Sequence, residues 1–399
     1  MADQTTLSRD ECIRLLTGLV AIPSPSRAER PAVEFLTQWM ADHGLDTHID
    51  GAGNACGSRG RGPREILLLG HIDTFPGAIP YRLDDAGVLH GRGAVDAKGP
   101  LAAFACAAAQ VRPPDGWRVT VVGAVEEETA SSKGARQVVA DRSERPPIFC
   151  IIGEPSRWDR ITLGYKGRML ADITLRAPMV HSAGPDRLPA ERGVALWRTI
   201  EALCEEDNRE RGATSPFDQL TPSLRSIASE DHGADGSVHL ALGFRLPIGQ
   251  DPHELELEVV HTLAQAAIGE SVNGLDVEET DHAHHEYRVA AHGRQDTGLE
   301  LRCSFRGHER AYRGSKRSAL VRAFLSTLRR QSATPRFVVK TGTADMNVVA
   351  PHWPDTPILA YGPGDSVLDH TPEERVEIEE YLRTIDVLRG VLTELMRGR

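Results

Sequence analysis

The sequence has few cysteines, six in 399 residues, and no two of them form a CxxC pair. Disulfide frameworks and thiolate zinc sites both need grouped cysteines, so the sequence argues against each of them. We therefore expect reduced and mostly buried thiols.

Long apolar runs are also missing. The longest, residues 101–109, is far too short to cross a membrane. The opening segment MADQTTLSRDECIRLL has no apolar core of the kind that secretion signals contain. The sequence thus predicts a cytoplasmic protein that is neither secreted nor inserted into a membrane.

Basic residues are fewer than acidic ones. The sequence has 46 Lys and Arg and 57 Asp and Glu, which gives a net charge of −11. Such a chain is poorly suited to nucleic acid. Residues 302–330, the basic segment, are the exception, with nine Arg or Lys and one acid. Its centre is Arg313, Lys316 and Arg317. It indicates either an acidic ligand or partner, or simply a solvated helix face.

The length suggests two domains. The short apolar runs EILLL (65–69) and RVTVVGAV (118–125) flank an alanine-rich helical segment, and PIFCII (147–152) follows. Strands alternating with helices predict an α/β layer in which helices flank a mixed, largely parallel sheet.

The pattern changes after residue 168, where looser alternation and a polar, turn-rich stretch (207–235) predict a smaller α+β insertion. The helices predicted over the whole chain cover residues 8–20, 30–43, 99–111, 191–206, 252–267, 316–330 and 373–397, and the later strands cover 168–176, 237–246, 299–306 and 357–361. Ser8 and Ser26 are candidate caps for the first two helices.

Nitrogen and oxygen ligands follow the apolar strands. His71 and Asp73 (GHID) share one face of extended chain directly after EILLL. Each motif taken alone has an ordinary structural explanation. It could be a structural His–Asp pair, a helix cap or a group of exposed surface glutamates. Together they suit zinc or cobalt in a hydrolytic site, and no GxSxG, Walker or HExxH motif competes. The other members of the set are Asp96 in GRGAVDAKG, Glu126, Glu127 and Glu128 after RVTVVGAV, Glu154 in IIGEP, and His370 in DHTPEE.

These motifs resemble, in order and over nearly the whole chain, the dinuclear zinc aminoacylase and carboxypeptidase family. The resemblance implies a catalytic domain of residues 1–165 and 313–399, and an inserted lid and dimerisation domain of residues 166–312. It also implies two Zn²⁺ ions, for which Co²⁺ could substitute, and a homodimer.

By position, the resemblance implies that Asp73 orients His71 and that Glu127 is the general base, counted back from Gly134–Ala135. The run of three glutamates leaves a one-residue ambiguity in that count. The implied metal ligands are His71, Asp96 (bridging), Glu128, Glu154 and His370.

The second domain and two late loops carry the implied substrate contacts. His181 in VHSAGP resembles a lid histidine that reaches a neighbouring active site and steadies the oxyanion. Arg245 in FRLP resembles an arginine that grips a substrate carboxylate. Asn347 in KTGTADMN and Gly364 in YGPG lie in loops that resemble the lining of the pocket.

Within the family, VGAVEEET, TLGYKGR and KTGTADMN most resemble hydrolases that release lysine or ornithine from the C-terminal glutamate of a small acidic carrier protein of the LysW type. Arg313, Lys316 and Arg317 would then steer the carrier. The alternatives are an N-acetylornithine or N-acetyl-lysine deacetylase, a desuccinylase or a dipeptidase of the same family. A metal-stabilised binding protein is the rival from another class.

Overall fold

The computed structural model describes residues 6–129, 131–268, 276–281, 284–290 and 298–397. The chain divides into two compact units, residues 1–164, 313–340 and 344–399 in the first and 165–312 and 341–343 in the second. The sequence-based boundaries differ from this division by one residue at 164/165 and by the short segment 341–343. The functional roles of the two units stay predictions.

The helices of both units are amphipathic or fully buried segments of ordinary length. In chain order they are α1 (Arg9–Ala21), α2 (Arg30–Asp42), α3 (Lys98–Ala109), α4 (Lys133–Ala140), α5 (Pro189–Glu210), α6 (Pro252–Ile268), α7 (Ala319–Arg330), α8 (Asp345–Val349) and α9 (Ile378–Arg397).

The strands are mostly short in the first unit and long in the second. In chain order they are β1 (Asp46–Ile49), β2 (Ala55–Gly60), β3 (Arg64–His71), β4 (Arg82–Leu83), β5 (Val88–His90), β6 (Trp117–Ala124), β7 (Phe149–Gly153), β8 (Arg160–Tyr165), β9 (Gly167–Pro178), β10 (Thr221–Asp231), β11 (Asp235–Leu246), β12 (Asp276–Asp281), β13 (His284–Ala290), β14 (Glu300–Glu309), β15 (Tyr312–Arg313), β16 (Arg336–Lys340), β17 (Ile358–Ala360) and β18 (Arg375–Glu377).

The first unit is built on a mixed sheet of strand order β1-β2-β6-β3-β7-β17-β8-β15, with β16 beside β8. Its centre, β6, β3, β7 and β17, is parallel, and β1 and β2 pair antiparallel at one side. Helices α1, α3, α7 and α9 share an apolar core with these strands. The predicted α/β class with a largely parallel sheet is confirmed.

The second unit is an antiparallel sheet of order β10-β11-β9-β14-β13-β12. Alternate residues of β9, β11 and β14 are buried, and they form a separate apolar core with helices α5 and α6. This is the α+β architecture that the loose alternation of apolar residues after residue 168 predicts.

Some local predictions were wrong. The stretch 207–235 contains strand β10, which alternation could not indicate because it is almost wholly exposed. Ser8 caps α1 as expected, but Ser26 donates to Asp73 instead of capping α2. The last helix begins at Ile378 because β18 occupies the residues before it.

All six cysteines are free and buried. Among the helices that the structure describes, none has the length and apolar character needed to span a bilayer.

Candidate metal centre

The sheet of the first unit brings the predicted ligands to one edge. The parallel strands β6, β3 and β7 are neighbours, and they end at Ala124, His71 and Gly153. The carboxyl ends of parallel strands meet at the same edge of a sheet, where α/β sites form. Their apolar interiors are buried, and the residues that follow them are polar. The strand pattern therefore accounts for the clustering of His71, Glu127, Glu128 and Glu154.

Asp96 arrives from the loop that precedes α3. Gly93 has φ +85°, and an added Cβ there would meet Thr74 and Lys98 at under 3.0 Å. The loop is held by Glu374, whose Oε1 accepts from the backbone N–H of Val95 at 2.9 Å and of Asp96 at 3.0 Å. This carboxylate fixes the backbone that presents Asp96.

Two groups of candidate ligands share Asp96. One group is His71, Asp96 and Glu154, and the other is Asp96, Glu128 and His370. Within each group the ligand atoms lie within 4.8 Å of one another. His71 Nε2 lies 3.1 Å from Asp96 Oδ1, and His370 Nε2 lies 3.1 Å from Asp96 Oδ2. A carboxylate with one oxygen toward each group is the arrangement that bridges two metal ions.

Asp73 organises both sides of the site. It is fully buried, and its backbone carbonyl lies 2.9 Å from His71 Nδ1, which leaves Nε2 toward the ligand groups. Its carboxylate accepts from the backbone N–H of Glu127 at 3.1 Å and of Glu128 at 3.0 Å. Ser26 donates to the same carboxylate at 2.7 Å. One side chain thus positions the histidine and the glutamate turn together.

Several ionisable groups of the site have raised pKa values because they are buried close together. Burial, and then repulsion from Asp96, raises the pKa of Glu154 to about 8. The pKa of Asp369 is raised to about 9 by burial first and Asp96 next. Hydrogen bonds with Asp96 and Glu128 raise the pKa of His370 to about 10. Crowded, buried carboxylates with two imidazoles are the donor set for hard to borderline divalent ions, so the residues suit a pair of metal ions.

The three consecutive glutamates have different surroundings. Glu128 Oε2 lies 3.0 Å from His370 Nε2. The pKa of Glu127 is raised well above its ordinary value, by burial first and then by neighbouring acids. Glu126 has φ +60° and accepts from Ser131 Oγ at 3.0 Å. The three glutamates therefore differ in their surroundings and in their chemistry, although they are identical neighbours in the sequence.

The motifs DHTPEE and KTGTADMN contain Glu374 and Lys340, but the contacts of these two residues were not predicted, and Phe75 was missed. Glu374 is 1% exposed and also accepts from Arg92 at 2.8 Å. Lys340 donates to the carbonyl of Pro155. Phe75 stacks on the His370 ring, with centroids 4.3 Å apart. Glu374 is the last residue of the DHTPEE motif itself, whereas no sequence motif indicated Phe75.

The other predicted residues lie as follows. Asn347 is buried in α8, and its Oδ1 accepts from the Ala344 N–H at 3.0 Å. Gly364 has φ +93°, and an added Cβ would meet Val95. In the second unit, Arg245 Nη1 donates to Thr343 Oγ1 at 2.7 Å.

His181 is an exposed residue of the second unit, and its Nδ1 accepts from the Ala183 N–H at 3.1 Å. The neutral ring then carries its proton on Nε2, which is able to donate. The substrate roles of His181 and Arg245 stay predictions.

The candidate ligands, their position at the ends of parallel strands and the fold together indicate one class of protein. The family model of peptidase family M20/M25/M40 matches residues 67–394, and the chain belongs to this family. It is a metal-dependent hydrolase that acts on amide bonds.

Individual relatives show which members of the family this chain is similar to. The chain is 42% identical over 388 residues to the LysW-lysine hydrolase of Deinococcus radiodurans, covering 96% of this chain and 97% of that protein. It is 36% identical to a Thermococcus kodakarensis protein assigned by inference as a LysW-lysine/LysW-ornithine hydrolase, covering 98% and 93%. The M20 family metallo-carboxypeptidase Sso-CP2 of Sulfolobus solfataricus has the same fold, with a TM-score of 0.75, 17% identity and coverage of 98% and 100%.

Proposed function

We propose that this protein hydrolyses the amide bond that joins lysine, or the related ornithine, to the C-terminal glutamate of an acidic carrier protein of the LysW type. The sharing of Asp96 between two ligand groups, with Glu127 beside them, supports the hydrolytic chemistry. The 42% identity to a LysW-lysine hydrolase over nearly the whole chain supports the substrate.

The metal ions of the proposal are two Zn²⁺, with Co²⁺ as a substitute. One would be held by His71 and Glu154, the other by Glu128 and His370, and Asp96 would bridge them. When bound, such ions polarise the amide carbonyl and make water acidic enough to lose a proton near neutral pH.

Glu127 carries the proton transfers in this proposal. A carboxylate of ordinary pKa is a weak base at neutral pH, and burial raises the pKa of Glu127. Its carboxylate would take a proton from the attacking water and then give it to the nitrogen of the leaving amino acid. Asp73 would keep this carboxylate in place through the backbone N–H of Glu127.

The charges of the basic segment support recognition of an acidic partner. Four of its arginines are neutralised by acids of this chain, in the pairs Arg302–Glu300, Arg306–Asp172, Arg310–Asp251 and Arg330–Glu394.

The centre of the segment is different. Arg313, Lys316 and Arg317 are exposed, and among the described residues no acid forms an ion pair with them. Lys316 Nζ lies over the Phe337 ring at 5.3 Å, which leaves its charge available. Exposed unneutralised cations steer an acidic partner more effectively than neutralised ones. The homodimer and the cytoplasmic location stay predictions.

The test compares substrates after metal removal. Chelator-treated protein is assayed with and without Zn²⁺ on carrier-linked glutamyl-lysine, carrier-linked glutamyl-ornithine, N-acetylornithine, N-acetyl-lysine, a succinylated amine and a dipeptide. Zinc-restored cleavage of the carrier substrates alone is the expected result, with Glu127→Gln as the inactive control. Cleavage of only a small substrate would contradict the carrier proposal, and no zinc-dependent cleavage at all would contradict the hydrolytic one.

A further inference from the structure

The second unit contains a cluster of metal-ligating side chains that the proposed reaction does not use. Its members are His253, Glu256, His285 and His308, called here the histidine–glutamate cluster. Each offers one ligand atom, and these atoms lie within 4.8 Å of one another. Imidazole nitrogens and carboxylate oxygens are zinc ligands in proteins, and four ligands is the usual number around that ion.

The fold builds this cluster from three elements. His253 and Glu256 are three residues apart in the first turns of α6, so they share a helix face. His285 on β13 pairs with Phe305 on β14, a residue of the buried face that packs in the core with α6. The helix and the strand therefore present their ligands toward each other.

A β-bulge brings in the fourth ligand. The buried apolar residues of β14 are Leu301, Cys303 and Phe305, so strict alternation would continue this apolar face at residue 307. The pairing of β14 with β9 shifts register between Arg306 and Glu309, and Gly307 has φ +70°. The extra residue turns His308 toward Glu256, and bulges of this kind often re-aim a side chain at a functional site.

Glu256 lies at the centre of the cluster. It is fully buried, and its Oε1 lies 2.9 Å from His285 Nδ1, while its Oε2 lies 2.6 Å from His308 Nε2 and 3.8 Å from His253 Nδ1. Burial alone would raise the pKa of Glu256, but hydrogen bonds from His308, Tyr287 and His285 lower it. Both carboxylate oxygens of Glu256 are thus within 3 Å of an imidazole nitrogen, Oε1 of His285 and Oε2 of His308.

The packing of the three rings favours a bound metal ion over an ordinary ion pair between histidine and glutamate. The ring centroids lie 4.7, 5.0 and 5.2 Å apart. One protonated histidine would be enough to neutralise one buried glutamate, yet three rings surround it. A second imidazolium at this distance would repel the first, whereas three neutral rings and one carboxylate around a divalent ion leave one net positive charge. The exposed ring of His253 gives an ion access from solvent.

We propose that the histidine–glutamate cluster is a third metal site, which binds one divalent transition-metal ion of the zinc type. The ion would tie the start of α6 to β13 and to the bulge of β14. Its role is structural, so its binding is measurable as stoichiometry and as stability, independently of catalysis.

The experiment uses the full-length protein and Zn²⁺ alone. Metal-free protein is dialysed against buffered free Zn²⁺, and bound zinc is counted by mass spectrometry. Wild type should retain three ions, and His285→Gln/His308→Gln should retain two. His261→Gln is the matched control, because His261 is an exposed histidine of the same helix outside the cluster, and it should retain three.

Two further variants isolate the new site. His71→Ala/His370→Ala, which removes ligands of the other two ions, should keep one zinc whose addition still raises the thermal midpoint. His253→Gln, at the exposed member, should weaken that zinc by at least about tenfold without disturbing the fold. Two ions in wild type, equal zinc in wild type and His285→Gln/His308→Gln, or a thermal midpoint that responds to pH but not to Zn²⁺ in the His71→Ala/His370→Ala protein, would overturn the proposal.

Discussion

At the scale of single residues, the run of three glutamates shows how neighbours of the same type acquire different chemistry. Glu128 faces His370, and Glu127 is buried among acids. Glu126 lies 3.8 Å from Arg27 and 3.7 Å from Lys133, so its charge is balanced near the surface. Position relative to the strand end, and not residue type, separates them.

The Glu127→Gln variant should therefore lose activity by roughly a thousandfold, the contribution expected of a general base. Bound metal should not change, because Glu127 belongs to neither ligand group. The measurements are kcat on the preferred substrate and metal content. Glu126→Gln is the matched control and should keep near-normal turnover. The opposite ranking of the two variants would move the base by one residue.

The sequence could predict that His71, Glu128 and Glu154 come together, because each lies at or just after an apolar run that forms a parallel strand. It could not predict the supports of the site. Ser26 contacts Asp73 from 47 positions away, and Glu374 contacts the Asp96 backbone from 278 positions away. No local pattern encodes such pairs, since they depend on how the finished fold brings the segments together.

At the scale of elements, the loop before α3 depends on a residue near the other end of the chain. Glu374 accepts two backbone N–H groups of the loop and one from Arg92, all within 3.0 Å. Removing the carboxylate leaves the two buried backbone N–H groups without this acceptor, whereas Arg92 Nη1 still has the carbonyl of Thr371 at 3.3 Å. The loop that carries Asp96 would then lose its fixed geometry.

Glu374→Ala should lower the free energy of unfolding by about 3 kcal/mol, the scale of buried hydrogen bonds to a charged group. It should also weaken metal binding, since Asp96 belongs to both ligand groups. Denaturant unfolding and chelator competition measure the two effects. Glu373→Ala, at the exposed neighbour that pairs with Arg375, is the control. Equal stability of the two variants would contradict the supporting role of Glu374.

Elements were predictable where burial leaves a pattern in the sequence, as a continuous apolar run in β3 and β6 and as alternation in β9. Strand β10 was not, because its exposure removes the alternation and leaves only its pairing with β11. The bulge at Gly307 was equally hidden, since its effect on His308 depends on the register with β9. Tertiary pairing, and not local propensity, decides both.

At the scale of the whole molecule, an acidic chain keeps exposed positive charges at Arg313, Lys316 and Arg317 that none of the described acids neutralises. Arg313→Glu/Arg317→Glu should raise KM for the carrier substrate about tenfold at low ionic strength and leave kcat and the small substrates unchanged. Added salt should shrink the difference. Arg329→Glu/Arg330→Glu changes the net charge equally at the end of α7 and serves as the control. Equal losses on carrier and small substrates would contradict a steering role.

Dimerisation with shared active sites is the remaining prediction at this scale. His181→Gln and Glu127→Gln proteins should each be nearly inactive, for different reasons. If His181 serves the neighbouring subunit, mixed dimers contain one complete site, built from Glu127 of one chain and His181 of the other. Co-refolding equal amounts should then restore roughly a quarter of wild-type activity, as random pairing into two-fold dimers requires. Light scattering must first show a dimer, and a mixture that stays as inactive as its parents would place His181 in its own subunit's site or outside catalysis.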